Sequence, residues 1–360
     1  MGLKICAVGD IMLGEQPLCN NFGVKEIIRK NGADFLFEEF SSLFCDADIV
    51  FGNLECSIRE ENSDISKKPI FFCAEPDAIN GLVNAHFNVL SVANNHIMEN
   101  GHKIFFHTVR CLKSNGIAPV GLKENIDIIN IKGYRVAFLA YSFIEDFIAD
   151  VCYNKITSEE SIFKDILRAK PISDIVIVSL HWGREYIPHP SPDQIRIGRS
   201  IVDAGADIIL GGHPHVPQSY EIYRNRPIFY SLGNFIFDDA YISITQESFI
   251  AEITIGDSIE TLDVTIHPFV INRDNYKPKL VAPLQTDATT SIMKIRTLLE
   301  DESLLDYERS IGDYNLLHKY YNRAAKWDMK VQFIKNFFRY STSVKFNTIK
   351  QYLGKQRGKK

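Results

Sequence analysis

Nine polar residues stand where apolar runs stop, and their types define a chemistry. Asp10 ends Val8-Gly-Asp10, Asn53 and Glu55 end Phe51-Gly-Asn-Leu-Glu55, and Asn94, Asn95 and His96 end Val92-Ala-Asn-Asn-His96. His181 follows Leu180 directly, and His213 and His215 lie in Leu210-Gly-Gly-His-Pro-His215. Imidazole, carboxylate and amide oxygen gathered in one place suit Mn, Fe or Zn, whereas the scattered thiols argue against a Cys-rich zinc site. So many donors point to two ions sharing a bridging carboxylate, a pair able to clamp an in-line displacement at phosphorus and lower the pKa of a bound water.

Such residues converge only if the runs before them are strands of one fold, because ligands of open α/β sheets collect beyond the carboxyl ends of the strands. Short β-branched runs at residues 4–9, 48–53, 88–92, 134–141, 174–180 and 207–210 alternate with stretches of helical period at 24–44, 77–86, 101–114, 158–169 and 192–203. That alternation is the mark of βα units. Extended runs at 219–223, 227–231, 248–255 and 258–269 then predict an antiparallel section that closes the fold, and from about residue 287 the pattern becomes helical. The Phe-rich stretch 35–44 reads as core, and His86, His102, His107, His189, His267 and His318 have no comparable placement. The last residues, from Gly354, read as a frayed end.

Composition sets the class. The chain has 360 residues, 45% hydrophobic and 24% charged, which describes a globular protein of one large or two smaller domains and excludes disorder. Seven cysteines, all in the first half and none in a C-x-x-C pair, predict reduced thiols and a cytoplasmic setting. The first ten residues lack the features of a secretory signal, and no apolar run is long enough to span a bilayer. The net charge of -5 conceals an asymmetry: residues 319–360 hold 12 Lys+Arg and a single acid, Asp328. Residues 1–318 therefore carry 28 basic against 44 acidic side chains. Lys319, Arg323, Lys326 and Lys330 recur at helical spacing, which fits a helix docked on the acidic domain, a helix lying peripherally on an anionic membrane, or a polyanion contact. No nucleic-acid motif is present, and the oligomeric state is not legible.

Six blocks carry a resemblance: Gly9-Asp-Ile-Met12, Gly52-Asn-Leu-Glu55, Ala93-Asn-Asn-His96, His181-Trp-Gly-Arg-Glu-Tyr186, Gly212-His-Pro-His-Val216 with Gln218, and Tyr230-Ser-Leu-Gly-Asn-Phe-Ile-Phe-Asp238. In this order they resemble the CapA (PgsA) poly-γ-glutamate capsule biosynthesis family, a branch of the calcineurin-like metallophosphoesterases. The resemblance covers residues 4–269. It implies an α/β fold of metallophosphoesterase type, a layered β-sheet core flanked by helices, here with a C-terminal helical extension. The expected division is a family domain at 1–272, a linker and helical segment at 273–318, and a basic, mainly helical tail at 319–360.

By the superfamily pattern, the resemblance implies that Asp10, Glu55 and His215 hold one divalent ion while Glu55, Asn95, His181 and His213 hold the other. His96 would be the general acid at the leaving group. Asn53, Asn94, Arg184, Glu185, Tyr186 and Asn234 are expected to contact substrate, orient the ligands or bond the loop backbone. The superfamily writes its first block Asp-x-His, and here Met12 stands third, so one ion is short of a ligand. Glu15 and Glu99 stand where the family often has a basic residue and Asp. The implied function is a metal-dependent hydrolase acting on a phosphoester or phosphoanhydride, with an anionic small molecule or polymer as substrate, in capsule or surface-polymer biosynthesis. The alternatives are a non-catalytic assembly or polymer-binding protein that keeps the pocket, and a hydrolase of γ-glutamyl amides.

Overall fold

The computed structural model describes residues 2–61, 71–146, 148–281, 304–342, 344–346 and 348–350. The start of the helical region near residue 287 and the end from Gly354 lie outside the described residues. The chain begins with β1 (Leu3–Ile11) and β2 (Ile49–Leu54), adds the short ribbon of β3 (Ser57–Ile58) and β4 (Cys73–Ala74), and continues with β5 (Val89–Ser91) and β6 (Ala118–Val120). The next six strands are β7 (Asp127–Ile131), β8 (Tyr134–Ser142), β9 (Ile175–His181), β10 (Ile208–Gly212), β11 (Tyr220–Tyr223) and β12 (Arg226–Phe229). The last four are β13 (Asn234–Ile236), β14 (Glu247–Ile255), β15 (Leu262–Ile271) and β16 (Pro278–Leu280). The helices are α1 (Val24–Asn31), α2 (Ser41–Cys45), α3 (Ile79–Asn84), α4 (Gly101–Ser114), α5 (Glu160–Ala169), α6 (Pro192–Asp203), α7 (Leu304–Ile311) and α8 (Tyr314–Lys335).

Two sheets result. The first has the order β16-β15-β14-β1-β2-β5-β6, with β13 also paired to β1, and the second β11-β12-β10-β9-β8-β7. Period-2 alternation explains why the second sheet is covered on both faces. Val136, Phe138 and Ala140 of β8 join the main core with β1 and β2, while Ala137, Leu139 and Tyr141 face a second core with Ile162 and Ile166 of α5 and Ile195 and Ile201 of α6. Phe51 of β2 stacks on Phe138 of β8 at 6.0 Å, joining the sheets. Phe44, Leu82, Phe105 and Leu112, from α2, α3 and α4, complete the main core.

The parallel strands are in register at the level that matters. Asp10 lies opposite both Asn53 and Asn234, Asn53 opposite Ser91, and His181 opposite Gly212. Five separate segments therefore end at one edge. The helix α6 that follows β9 begins with a reciprocal cap, in which Ser191 accepts from the Gln194 N–H and the Gln194 side chain accepts from the Ser191 N–H, with Pro192 in the first turn.

Two expectations need correction. The helix expected over 24–44 stops at Asn31, because Gly32 at φ +86° turns the chain, and the Phe-rich stretch continues as short turns before α2. Its aromatic residues are nevertheless core: Phe37, Phe40 and Phe44 are buried and pack on Phe235 at 5.3 to 6.0 Å. The closing antiparallel section is divided between the sheets. The hairpin β11–β12 joins the second sheet with β12 parallel to β10, and β14, β15 and β16 extend the first. Strand β16 lies beyond residue 272, and α8 runs unbroken through residue 319, where the charge changes.

The site edge depends on close backbone approach. A Cβ on Gly9 would run into the carbonyl of Gly233, whose oxygen accepts from the Asp10 N–H at 2.9 Å. Gly9→Ala is expected to destabilise the fold by about 1–3 kcal/mol through forced displacement of β13 from β1. Urea unfolding checks this, and an unchanged midpoint would show that the two strands tolerate separation.

Candidate metal centre

Asp10 and Glu55 are fully buried, and His181, His213 and His215 are nearly so. Their ligand atoms fall into two groups, Asp10, Glu55 and His215 in one and Glu55, His181 and His213 in the other, each with all atoms within 4.8 Å of one another. Glu55 belongs to both. The Gly-Gly-His-Pro-His turn achieves this at a backbone cost, since His213 and His215 adopt φ of +93° and +60°, a region that residues with a Cβ seldom occupy. Tyr186, at φ +67°, is held below this turn by its N–H donating to the Pro214 carbonyl at 2.8 Å.

Hydrogen bonds fix most of the donors. Asn53 Nδ2 donates to Asp10 Oδ1 at 2.8 Å and lies 3.2 Å from His181 Nδ1, and its own oxygen accepts from Asn94 at 3.1 Å. His181 Nε2 thereby faces Asn95 Oδ1 at 2.8 Å and Glu55 Oε1 at 3.6 Å. Asn94 shapes its own loop, donating to the Leu54 carbonyl and accepting from the N–H groups of His96 and Ile97. Asp10 Oδ2 accepts from the His213 N–H at 2.9 Å and lies 3.6 Å from His215 Nδ1. Asn234 Oδ1 meets the same Nδ1 at 2.9 Å while its amide donates to Asp239 at 2.7 Å.

By contrast, both oxygens of Glu55 and Nδ1 of His213 are buried with no hydrogen-bond partner. Burial, reinforced by Asp10, Glu185, Asp239 and Glu99, pushes the Glu55 carboxyl well above its ordinary range. Asp10 is raised by burial, and Asp239 is raised by burial to about 7. Burial and the neighbouring imidazoles hold His181 and His213 well below theirs, favouring the neutral rings that coordinate metal. Burial opposes protonation of His215 as well, but Asp239, Asp10 and Glu185 outweigh it and raise that group. An uncompensated buried carboxylate costs several kcal/mol, by order of magnitude. A divalent cation beside Glu55 is the compensation these donors fit.

His96 is placed differently, at the rim. Its Nε2 lies 3.8 Å from Glu55 Oε1, its Nδ1 pairs with Glu99 at 2.7 Å, and its ring stacks on Phe72 with centroids 3.9 Å apart. Phe72 and Asp239 did not stand out in the sequence, whereas Asn234 and His215, which Asp239 joins, did. Asp239 directly follows the Asn-Phe-Ile-Phe-Asp238 block, and a second acid there was the available signal.

Of the remaining expected residues, Glu185 is half-buried and its charge reaches Glu55 and His215. Arg184 points elsewhere, donating to Asn315 at 3.0 Å and lying over the Tyr314 ring of α8. Glu15 is committed to its own loop through Asn20, the Asn21 N–H and Lys25. Met12 is fully buried in the main core and supplies packing there.

Glu55→Gln keeps the shape and removes the charge. The chelator-treated variant is expected to be at least as stable as the parent, by up to about 1–3 kcal/mol. It should also lose the stabilisation by Mn2+, which for the parent reaches about 2.7 kcal/mol at a free ion concentration of about 100 Kd. Thermal unfolding with and without Mn2+ is the check; equal Mn2+ stabilisation of both proteins would remove Glu55 from ion binding.

Comparison with known proteins bears on what this edge belongs to. Residues 4–239 match the family model described as bacterial capsule synthesis protein PGA_cap. The chain is 34% identical over 295 residues to "Capsule biosynthesis protein CapA" of Bacillus anthracis, covering 77% of this chain and 69% of the relative. It is 30% identical over 298 residues to "PGA biosynthesis protein CapA" of Bacillus subtilis, covering 78% and 76%. Among solved structures it is similar to one described as a novel phosphatase from Mycoplasma pneumoniae, with a TM-score of 0.47 and 12% identity over 75% of this chain and 94% of that one. The family model spans all five strand-end segments that build the cluster, and two relatives at 30% identity or more extend across three quarters of the chain: the protein belongs to the bacterial capsule synthesis family PGA_cap.

Proposed function

We propose that this protein is a metal-dependent hydrolase acting on a phosphoester or phosphoanhydride in the assembly of a capsule or surface polymer of the poly-γ-glutamate type. The observation that carries the reading is the buried Glu55 carboxylate, without a hydrogen bond and common to two donor groups. Asp10, Glu55 and His215 would hold one ion, and Glu55, Asn95, His181 and His213 the other, a donor set that suits Mn, Fe or Zn. Bound there, such ions supply Lewis-acid polarisation of a phosphoryl oxygen and a water made acidic enough to act as nucleophile.

The chain's own side chains position and move protons. His96, held at Nδ1 by Glu99, would aim its Nε2–H toward the cluster and donate to the leaving oxygen. Phe72, stacked on its ring, sets the plane of that transfer. Asn53 orients Asp10 and His181, and Asn234 with Asp239 orients His215. Because Arg184 is turned toward α8, the positive charge that draws an anionic substrate would come from the cluster itself. The seven unpaired cysteines support a reducing compartment.

The buried Met12 favours the second reading, a polymer-binding assembly protein without turnover, because it leaves the Asp10 group one donor short of the superfamily pattern. Purified protein with Mn2+, offered phosphomonoesters, phosphodiesters, phosphoanhydrides and polyglutamate, separates the readings. Turnover of a phosphorus substrate is expected, with His96→Ala lowering kcat roughly 10²–10⁴-fold at unchanged metal content. Cleavage of polyglutamate alone would transfer the chemistry to an amide. No turnover of any substrate would leave the binding reading.

A further inference from the structure

Helix α8 has two apolar faces, and the core explains only one. Its inner face carries Tyr321, Ala325 and Met329, which pack with Cys19, Tyr186, Tyr241 and Ile242. Asp328 locks the helix by accepting from the Ser243 N–H and hydroxyl at 2.9 and 3.0 Å, and Tyr340 after the helix donates to the Leu18 carbonyl at 2.9 Å. The opposite face carries Leu316, Tyr320, Trp327 and Ile334, which are 60%, 68%, 66% and 73% exposed, and Phe338 continues it at 93%. At roughly 100° per residue the four helix residues fall within about 40° of one another, about 180° from Ala325.

Exposed apolar residues scattered singly are ordinary, but a stripe of five along one ridge is not. Lys319, Arg323, Lys326 and Lys330 run along one flank of the stripe, and Lys335 follows at its end. The helix contains a single acid, Asp328, which is spent on the inner face. We propose that this ridge is a membrane-surface anchor that lies in the plane of an anionic bilayer, with Trp327, Ile334 and Tyr320 entering the headgroup boundary and the flanking cations contacting lipid phosphates. Charge favours the occupant: a two-fold contact of this ridge with the same ridge of a second copy would set cations against cations, whereas an anionic bilayer complements them. Among the described residues no helix is long and apolar enough to cross a membrane.

The test is flotation of the full chain with vesicles of phosphatidylcholine alone and of phosphatidylcholine with about 30% phosphatidylglycerol. The protein should float with the anionic vesicles only and be released by salt. The double change Trp327→Glu and Ile334→Glu, and separately Lys319→Glu with Arg323→Glu and Lys326→Glu, should each lower the floated fraction roughly tenfold or more. All five positions are exposed, so thermal unfolding should be unchanged and a loss of binding cannot be assigned to misfolding. Two results would overturn the proposal: no flotation of the parent with either vesicle, as when the ridge instead joins a dimer that the Trp327→Glu, Ile334→Glu variant dissociates, or equal flotation of parent and variants.

Discussion

The structure turns on one carboxylate placed where no carboxylate is stable alone. Glu55 sits at the end of β2 with both oxygens buried and unpaired, ringed by Asp10, Glu185, Asp239 and Glu99, all of which oppose its ionisation. Folding a chain around such a group is reasonable only if a positive charge accompanies it, and three buried imidazoles, two of them held neutral, face the same point. The rest follows from the need to hold that arrangement rigid. Parallel strands bring five segment ends into register, Gly9 permits β13 to approach β1, and two His residues accept left-handed backbone so that their rings converge. Asn53, Asn94 and Asn234 then take up the hydrogen-bonding capacity of the surrounding donors and leave Glu55 without any.

Much of this edge is legible in the amino-acid order because a buried strand is a short β-branched run, and a polar residue ending one has few bland explanations. Asp10, Glu55, Asn95, His181, His213 and His215 stand out on that ground, and the structure brings them together. What the sequence conceals are partners recruited from outside the strand ends. Phe72 reaches His96 from a bend at φ +49° just before β4, and Asp239 is linked to His215 by hydrogen bonds through Asn234. Arg184 shows the opposite failure: proximity in sequence to His181 puts it in the same motif, yet the turn at Gly183, φ +89°, sends it toward α8.

Apolar period alone marked the helices at 101–114 and 192–203, which the structure reproduces as α4 and α6, and it failed where a single glycine breaks a continuing period. Residues 24–44 keep a helical period across Gly32, but the positive φ there redirects the chain, and the Phe residues beyond it still reach the core from short turns. The basic region illustrates a further limit. Periodicity separates a charged from an apolar face, but only packing distinguishes the apolar residues that meet the core, Ala325 and Met329, from those left outside, Tyr320 and Trp327.

The most direct measurement is metal content by elemental analysis of protein purified without chelator, for the parent and for Glu55→Ala. If Glu55 is buried to share cations, the parent carries Mn, Fe or Zn at one or more equivalents per chain and the variant, still folded, carries almost none. A parent that is folded and free of divalent metal after saturation with each of these ions, or a variant that retains the parent's content, would contradict the account.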